Sequence, residues 1–409
     1  MRAVSVLTTV GLSGFAHKDL AAIKTGAPAN GFFFEGAPVT PGFDAICQAS
    51  HVLDVLIRLE NGAVAMGDCL DVIFAGAAGR APLFRPEDHL AAFEAHVAPA
   101  LRAMDMRDFR RNAEAVDGFE IDGQPLHMAV RYGVTQALLH AAALAKGVTM
   151  AEIVADAYGS RLEPRVVPIL VSIPKTDPFI LDRMIMKRAE LLPHASFTVV
   201  ETDLGADGRL ILDYAAKVSQ RVQDVGAPDY RPVIHLDTYG TIGEMLDCDI
   251  DRMADFIGRL AQAAAPCPLY IESPVIADTQ AKQIEIYAAL RAAIRERKVP
   301  VRLIVDEWCN TLDDIKLFDR AGAADFVQIK APDLGGINNT IEAVLYCRDA
   351  GIGCCLGGTA NDTDHSSRIA THIAQACGAD FLLGRPGLGG DAALMIMRNE
   401  MLRTIALAG

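Results

Sequence analysis

Residues 232–237 read Pro-Val-Ile-His-Leu-Asp, an apolar run that ends in a carboxylate. Three later runs have the same form: Leu-Tyr-Ile-Glu at 269–272, Leu-Ile-Val-Asp at 303–306 and Phe-Val-Gln-Ile-Lys at 326–330. Their charged ends recur at intervals of roughly 24 to 35 residues, which is room for one strand, one helix and two short loops. In a (β/α)8 barrel, functional side chains gather at the carboxyl ends of the strands. This stretch therefore predicts a barrel with Asp237, Glu272, Asp306 and Lys330 at its mouth.

The same alternation of strands and helices extends from residue 165 to the C-terminus. Predicted strands lie at 166–172, 192–198, 232–237, 268–272, 301–306, 326–330, 352–357 and 380–384. Helical segments between them include 248–265, 278–296, 336–350 and 363–377. Eight strands with intervening helices match the α/β class, as a (β/α)8 TIM-type barrel. A doubly wound open sheet is the competing arrangement, but no Gly-x-Gly-x-x-Gly motif follows the first strand.

The first 160 residues are organised differently. Residues 3–10 predict a strand, and a hairpin is predicted around Asn61-Gly62, because both of these residues tolerate positive φ. The hairpin strands and the helices after them are predicted at 51–60, 63–70, 86–103, 107–117, 127–145 and 150–158. We therefore predict an α+β capping domain over 1–160 and a barrel domain over 161–409. The Gly-, Pro- and Ala-rich stretch 11–42 predicts either a covering loop or a plain surface excursion.

Composition argues against several classes of protein. The chain has 409 residues, a net charge of −14 and a pI of about 5.2, which argues against nucleic-acid or anionic-membrane partners. No apolar run reaches about 18 residues, so no membrane span is expected. The short apolar run at 3–10 favours a first strand over a signal peptide. Nine cysteines without a Cys-x-x-Cys pair predict a reducing, cytoplasmic compartment.

The strand-end charges predict a metal site with a base beside it. A single acid at a strand end is usually a loop or helix cap, but three on successive strands favour a cation. Oxygen ligands suit Mg²⁺, and Mn²⁺ is also compatible. Lys330 ends an apolar strand, so burial and a nearby cation would both lower its pKa and make it a general base. A Schiff-base lysine is the alternative. His194 lies in an apolar context, where a structural role competes with a catalytic one.

Several segments together resemble the methylaspartate ammonia-lyase family of the enolase superfamily. They are HLDTYGTIG at 235–243, DEWCNT at 306–311 and QIKAPDLGG at 328–336, with shorter matches at 131–133, 192–194 and 357–359. The resemblance covers nearly the full length. It implies a Mg²⁺-dependent carbon–nitrogen lyase that eliminates ammonia from 3-methylaspartate or a related 3-substituted aspartate through an enolate. It also implies a homodimer and a monovalent cation such as K⁺. The alternative is a related acid dehydratase or racemase.

The resemblance further implies roles for individual residues. Mg²⁺ would be held by Asp237, Glu272 and Asp306. Lys330 would remove the C3 proton, and His194 would be the acid or base on the opposite face. Substrate contacts would come from Gln328, Thr359 and Leu383.

The chain departs from the family pattern around the substrate. Ser172 stands where Gln is typical, Ala360 where Cys is usual, and Cys355 where a Tyr helps to enclose the substrate methyl group. Ser273, rather than Gly, follows Glu272. Because every metal and base position is retained, the resemblance implies the same chemistry with a shifted substrate preference.

Overall fold

The structure is a computed structural model that describes residues 1–408. Its N-terminal strands are β1 (Ala3–Lys18), β2 (Ala29–Asn30), β3 (Phe33–Phe34), β4 (Cys47–Leu59), β5 (Val64–Cys69), β6 (Glu120–Ile121) and β7 (Gln124–Pro125). The helices of this part are α1 (Leu20–Lys24), α2 (Pro86–Ala92), α3 (Ala98–Ala103), α4 (Phe109–Asp117), α5 (Met128–Lys146) and α6 (Met150–Tyr158). A π-helical turn over Phe93–Val97 joins α2 to α3.

The main N-terminal sheet is antiparallel, in the order β1-β4-β5. The predicted hairpin is confirmed, because β4 pairs with β5 across the Asn61-Gly62 turn and Gly62 has φ +85°. The first strand is longer than predicted and continues to Lys18, with a register shift between Leu12 and Ala16. The first part of the stretch 11–42 is therefore strand rather than loop, because β4 continues alongside it and pairs with its backbone.

Helix α5 packs closely on this sheet because two glycines face each other. A Cβ atom on Gly67 of β5 would overlap the carbonyl of Gly133 in α5. A Cβ atom on Gly133 would overlap the backbone of Cys69. The apolar length of α5 is thus buried against the sheet.

Within residues 1–408 no single helix has the length and apolarity to cross a membrane; only α5 and α6 taken together do, with a 98° bend between them.

The remaining strands close into a parallel eight-stranded barrel, which confirms the predicted fold class. They are β8 (Ile169–Leu170), β9 (Leu191–Ser196), β10 (Val233–Asp237), β11 (Leu269–Glu272), β12 (Val301–Val305), β13 (Phe326–Ile329), β14 (Gly353–Leu356) and β15 (Phe381–Leu383). β8 is shorter than the predicted 166–172. Asp306 and Lys330 each lie one residue beyond the end of their strand.

Helices follow the barrel strands and surround them. They are α7 (Pro178–Met186), α8 (Arg209–Val225), α9 (Thr241–Met245), α10 (Ile250–Ala264), α11 (Gln280–Glu296), α12 (Leu312–Arg320), α13 (Ala331–Leu334), α14 (Ile337–Ala350), α15 (Asp364–Cys377) and α16 (Gly389–Ala408). Inside the barrel, an apolar layer fills the space beneath the mouth. Its buried members are Leu170, Leu191, Ile304, Cys355, Phe381 and Leu383. This packed apolar layer lies directly beneath the polar side chains at the mouth.

Candidate active site

A cavity of about 310 Å³ lies between the barrel mouth and the N-terminal part of the chain. Its barrel side is lined by Ser172, His194, Ser196, Thr198, Asp237, Tyr239, Glu272, Gln328, Lys330, Gly358, Thr359, Ala360, Leu383 and Pro386. Its other side is lined by Phe15, Lys18, Leu20, Ile23, Phe34, Ile73 and Phe74. The second group is mostly apolar and comes from β1, α1, β3 and the segment after β5. The N-terminal part therefore covers the polar side chains at the barrel mouth.

The strand register explains why the carboxylates converge. Asp237 and Glu272 are paired neighbours on β10 and β11, and both are buried. Asp306, also buried, contacts the ammonium of Lys330, and its Oδ1 lies 3.2 Å from Nη2 of Arg80. Burial raises the pKa of Asp237 well above its usual range, and the charge of Glu272 raises it further. The two neighbouring carboxyl groups can therefore both be ionised only when a cation offsets their repulsion.

Two histidines face the same carboxylates. His194 Nε2 lies 3.7 Å from Asp237 Oδ2 and 3.7 Å from Glu272 Oε2, and it has no hydrogen-bond partner within residues 1–408. His235 Nε2 lies 3.0 Å from Glu272 Oε2. Burial alone would raise the pKa of Glu272, but the two imidazoles outweigh it and hold that pKa well below its usual value. One ligand atom from each of His194, His235 and Glu272 lies within 4.8 Å of the others.

Lys330 does not show the lowered pKa that its sequence context predicts. Burial is the largest effect and lowers the pKa of Lys330, but the charges of Asp306, Glu307 and Glu272 together outweigh it and raise the pKa above its usual value. The predicted lowering also depends on a nearby divalent cation, so it stays a prediction for the metal-bound protein. The sequence placed an acid and a lysine on adjacent strands, but it could not show that the two side chains would touch.

The predicted substrate contacts are largely brought together. Ser172, Thr359, Ala360, Leu383 and Gln328 line the cavity, and the Gln328 side-chain amide donates to Glu272 Oε1 at 3.3 Å. Cys355 is the exception. It is fully buried in the apolar layer of the barrel and is not part of the cavity lining. Its side chain lies in the same apolar layer as Leu383, and its contact with substrate stays a prediction.

The structure adds charged residues that the sequence reasoning set aside or missed. Glu307, which directly follows Asp306, is buried and accepts a hydrogen bond from Ser273 Oγ at 2.5 Å. Burial, and next the charge of Asp306, raises the pKa of Glu307 to about 7. In the sequence, the only sign of this Ser273–Glu307 hydrogen bond was that Ser273 replaces the Gly typical of the family. The role of Arg80 could not be predicted from the sequence, because its partners Asp306 and Asp333 are more than 200 residues away along the chain.

Comparison with known proteins gives relatives over the whole chain. Methylaspartate ammonia-lyase 2 of Carboxydothermus hydrogenoformans is 45% identical over 408 residues, which span 100% of this chain and 98% of that protein. The crystal structure of beta-methylaspartase from Clostridium tetanomorphum, a Mg complex, is 43% identical with a TM-score of 0.93, covering 100% of this chain and 99% of that one. Citrobacter amalonaticus methylaspartate ammonia lyase containing (2S,3S)-3-methylaspartic acid is 42% identical with a TM-score of 0.95, covering both chains fully.

Two family profiles account for nearly every residue. The profile for the methylaspartate ammonia-lyase N-terminus matches residues 1–159, and the profile for the C-terminus matches residues 161–409. These matches agree with the closed barrel, its N-terminal cover and the strand-end carboxylates described above. The chain is therefore an enzyme of the methylaspartate ammonia-lyase family, within the enolase superfamily.

Proposed function

We propose that this chain is a Mg²⁺-dependent carbon–nitrogen lyase that eliminates ammonia from 3-methylaspartate or a related 3-substituted aspartate. The observation that carries the proposal is the cavity at the barrel mouth. Lys330 and His194 line this cavity together with Asp237 and Glu272. An acid–base pair beside a set of carboxylates is what proton abstraction next to a carboxylate requires.

The residues present fit a hard divalent cation. Asp237, Glu272 and Asp306 offer buried oxygen donors in a region of excess negative charge. We assign Mg²⁺ to these three rather than to the set of His194, His235 and Glu272, because Mg²⁺ prefers oxygen and imidazole suits softer metals. When bound, Mg²⁺ would stabilise the negative charge that develops on a substrate carboxylate. Mn²⁺ as a substitute and K⁺ as an additional monovalent cation belong to the same proposal.

The chain's own residues would divide the remaining work. Lys330 Nζ takes the proton from C3 of the substrate, and His194 Nε2 holds or transfers a proton on the other face. The amine leaves C2, and the products are a 2-methylfumarate and ammonia. Gln328 and Thr359 orient the substrate carboxylates, and Leu383 with Ala360 and Ser172 shapes the space around the 3-substituent. The apolar cover excludes water, which strengthens every charged interaction beneath it.

We further propose a cytoplasmic homodimer that has neither nucleic-acid nor membrane partners. Support for a reducing compartment comes from the nine cysteines, all of which are free thiols. The net charge of −14 supports the absence of polyanionic partners. Light scattering after size-exclusion chromatography tests the dimer.

We also propose the domain boundary at residues 160/161, between the end of α6 at Tyr158 and the start of β8 at Ile169.

The test of function is release of ammonia from a panel of 3-substituted aspartates with and without Mg²⁺. The expected result is Mg²⁺-dependent ammonia release, accompanied by ultraviolet absorbance from the new conjugated double bond. Deuterium exchange of the substrate α-proton without ammonia would instead indicate a racemase or related reaction. If no 3-substituted aspartate releases ammonia, the proposed function is wrong.

A further inference from the structure

Lys18 is a cation without a polar partner on the covering side of the cavity. It is the last residue of β1, and it lines the cavity together with Lys330. Lys330 is paired with Asp306, whereas within residues 1–408 the Lys18 ammonium has neither a salt bridge nor a hydrogen bond. A half-buried ammonium that lacks an anion is costly to maintain unless a ligand supplies one.

Aromatic rings surround this ammonium. Its Nζ lies 4.2 Å from the ring centroid of Phe32, 5.7 Å from that of Phe34 and 5.8 Å from that of Phe15. The ring faces give a weak attraction to a cation but neutralise no charge. Burial lowers the pKa of Lys18, as expected for a cation with no close carboxylate. The surroundings are therefore ready for an anionic group that enters the cavity.

The backbone that carries Lys18 is held firmly in place. The Lys18 amide donates to the carbonyl of Ile73 at 2.9 Å. The next residue, Asp19, is fully buried and accepts hydrogen bonds from the amides of Val39 at 2.5 Å and Thr40 at 2.9 Å. A charged side chain on such a fixed backbone loses less entropy on binding than one on a mobile loop.

Positions 172 and 360 on the barrel side offer no long donor that could do the same work. Ser172 is short, and its hydroxyl donates to the His194 carbonyl at 3.4 Å. Ala360 presents only a methyl group. A substrate carboxylate that is not held at the metal ligands therefore has Gln328 and Thr359 as neutral partners. Of the two lysines that line the cavity, Lys18 is the one with no anionic partner within residues 1–408.

We propose that Lys18 binds a substrate carboxylate on the covering side of the cavity and thereby sets the substrate preference of the enzyme. This inference rests on the proposed function for its substrate class, the amino dicarboxylates. The carboxylate has two possible sources. It is either the α-carboxylate of a simple 3-alkylaspartate or a further carboxylate at the end of the 3-substituent. In either case the recognition is a charge-assisted hydrogen bond from Lys18 to a carboxylate remote from the metal ligands.

The experiment compares the wild type with Lys18→Met, which removes the charge, and Lys18→Arg, which keeps it. Ammonia release is measured with Mg²⁺ on 3-methylaspartate, 3-(carboxymethyl)aspartate and the similarly sized apolar 3-propylaspartate. We expect Lys18→Met to lower kcat/KM about 10- to 100-fold, mainly through KM, and Lys18→Arg to restore most of it. A lower kcat/KM of Lys18→Met on all three substrates would identify the α-carboxylate as the group that Lys18 binds. A loss on 3-(carboxymethyl)aspartate alone assigns the further carboxylate.

Binding without turnover separates this inference from the proposed function. Calorimetry with Mg²⁺ and two acids that have no amine to eliminate, methylsuccinate and tricarballylate, reports recognition directly. Weaker binding to Lys18→Met than to the wild type supports the inference even if no aspartate releases ammonia. Equal kcat/KM and equal binding in the two proteins overturn it, as does a wild type that binds neither acid. Lys217→Met, an exposed lysine on α8, controls for net charge, and circular dichroism verifies folding.

Discussion

At the scale of single residues, the barrel mouth has more buried carboxyl groups than lysine and arginine side chains. Asp237, Glu272, Asp306 and Glu307 are all buried in this region, and the nearby cations are Lys330 and Arg80. Such an arrangement is unfavourable by itself, because like charges repel strongly at low dielectric. Functional sites often retain this kind of local destabilisation, which a bound ligand relieves. Two predictions follow from the charges themselves.

Lys330→Met should abolish most of the activity while leaving the fold intact. Removal of a well-placed base typically costs about 10²- to 10⁴-fold in kcat. The measurement is ammonia release together with deuterium exchange at C3, and both should fall in parallel. Lys316→Met is the matched control, because Lys316 pairs with Asp313 at the surface of α12 and should change neither. Wild-type exchange in Lys330→Met would show that another group is the base.

Asp237→Asn should have opposite effects on stability with and without Mg²⁺. Without metal, the raised pKa of Asp237 favours its neutral form, which the amide resembles, so the melting temperature should hold steady or rise. In the wild type, Mg²⁺ at about 100 times its Kd should add roughly 2.7 kcal/mol of stability, and the variant should lose most of this gain. Differential scanning calorimetry with Mg²⁺ or with chelator measures both. A wild type indifferent to Mg²⁺ would contradict the assignment of these carboxylates. Asp213→Asn, an exposed position on α8, should behave as the wild type.

At the scale of secondary-structure elements, the N-terminal part depends on the close contact of one helix with one sheet. Periodicity and the Asn61-Gly62 turn were enough to predict β4, β5 and α5, because those signals are local. The distance between α5 and the sheet was not predictable. It depends on Gly67 and Gly133 lying opposite each other, a pairing that spans 66 residues of sequence.

Gly133→Ala should destabilise the protein by about 1 to 3 kcal/mol, because its Cβ would overlap the β5 backbone and push α5 off the sheet. Urea unfolding followed by circular dichroism measures the change. Gly258→Ala is the control: it lies inside α10, and its nearest new contact is Val299 Cγ2 at 3.5 Å. Because alanine favours helix over glycine by up to about 1 kcal/mol, this control should be neutral or stabilising. Equal effects at the two positions would rule out the packing explanation.

At the scale of the whole molecule, the cover and the barrel meet through buried polar contacts. Arg80 reaches from the segment after β5 to Asp306 and Asp333, with distances of 3.2 and 2.9 Å. Tyr132 of α5 donates to Asp362 at 2.9 Å. The first of these contacts joins the cover directly to a proposed metal ligand. The position of the cover and the charge of the site are therefore linked.

Arg80→Met should destabilise the protein strongly, by about 3 to 5 kcal/mol, because it leaves buried Asp333 without its cation and Asp306 with Lys330 alone. It should also weaken the Mg²⁺-free protein more than the Mg²⁺-loaded one, since a bound cation would compensate part of the lost charge at Asp306. Denaturant unfolding with and without Mg²⁺ measures both effects. Arg85→Met lies on the same segment and breaks an exposed pair with Asp44 and a hydrogen bond to the Gly42 carbonyl, so only about 1 kcal/mol is expected. Similar losses at Arg80 and Arg85 would contradict this reasoning.

The sequence by itself determined the barrel, the α+β cover and the strand-end placement of Asp237, Glu272, Asp306 and Lys330. These follow from hydrophobic periodicity and from the regular spacing of βα units, which are properties of neighbouring residues. The resemblance of its motifs also identified the family correctly. The substrate preference was left open, because the departures at Ser172 and Ala360 say what is missing from the cavity and not what replaces it.

Only the tertiary structure decided how side chains from distant segments meet. It brought Arg80 to Asp306, placed the unpaired Lys18 over the cavity, and put Cys355 in the layer beneath it. It also showed that several buried carboxylates, with Asp306 the strongest, raise the pKa of Lys330 against the effect of burial. Such contacts join residues far apart in sequence, and their energies depend on distances of a few ångströms and on local burial. Neither quantity is encoded in a local pattern of residues, which is why the fold was predictable and the balance of charges in the site was not.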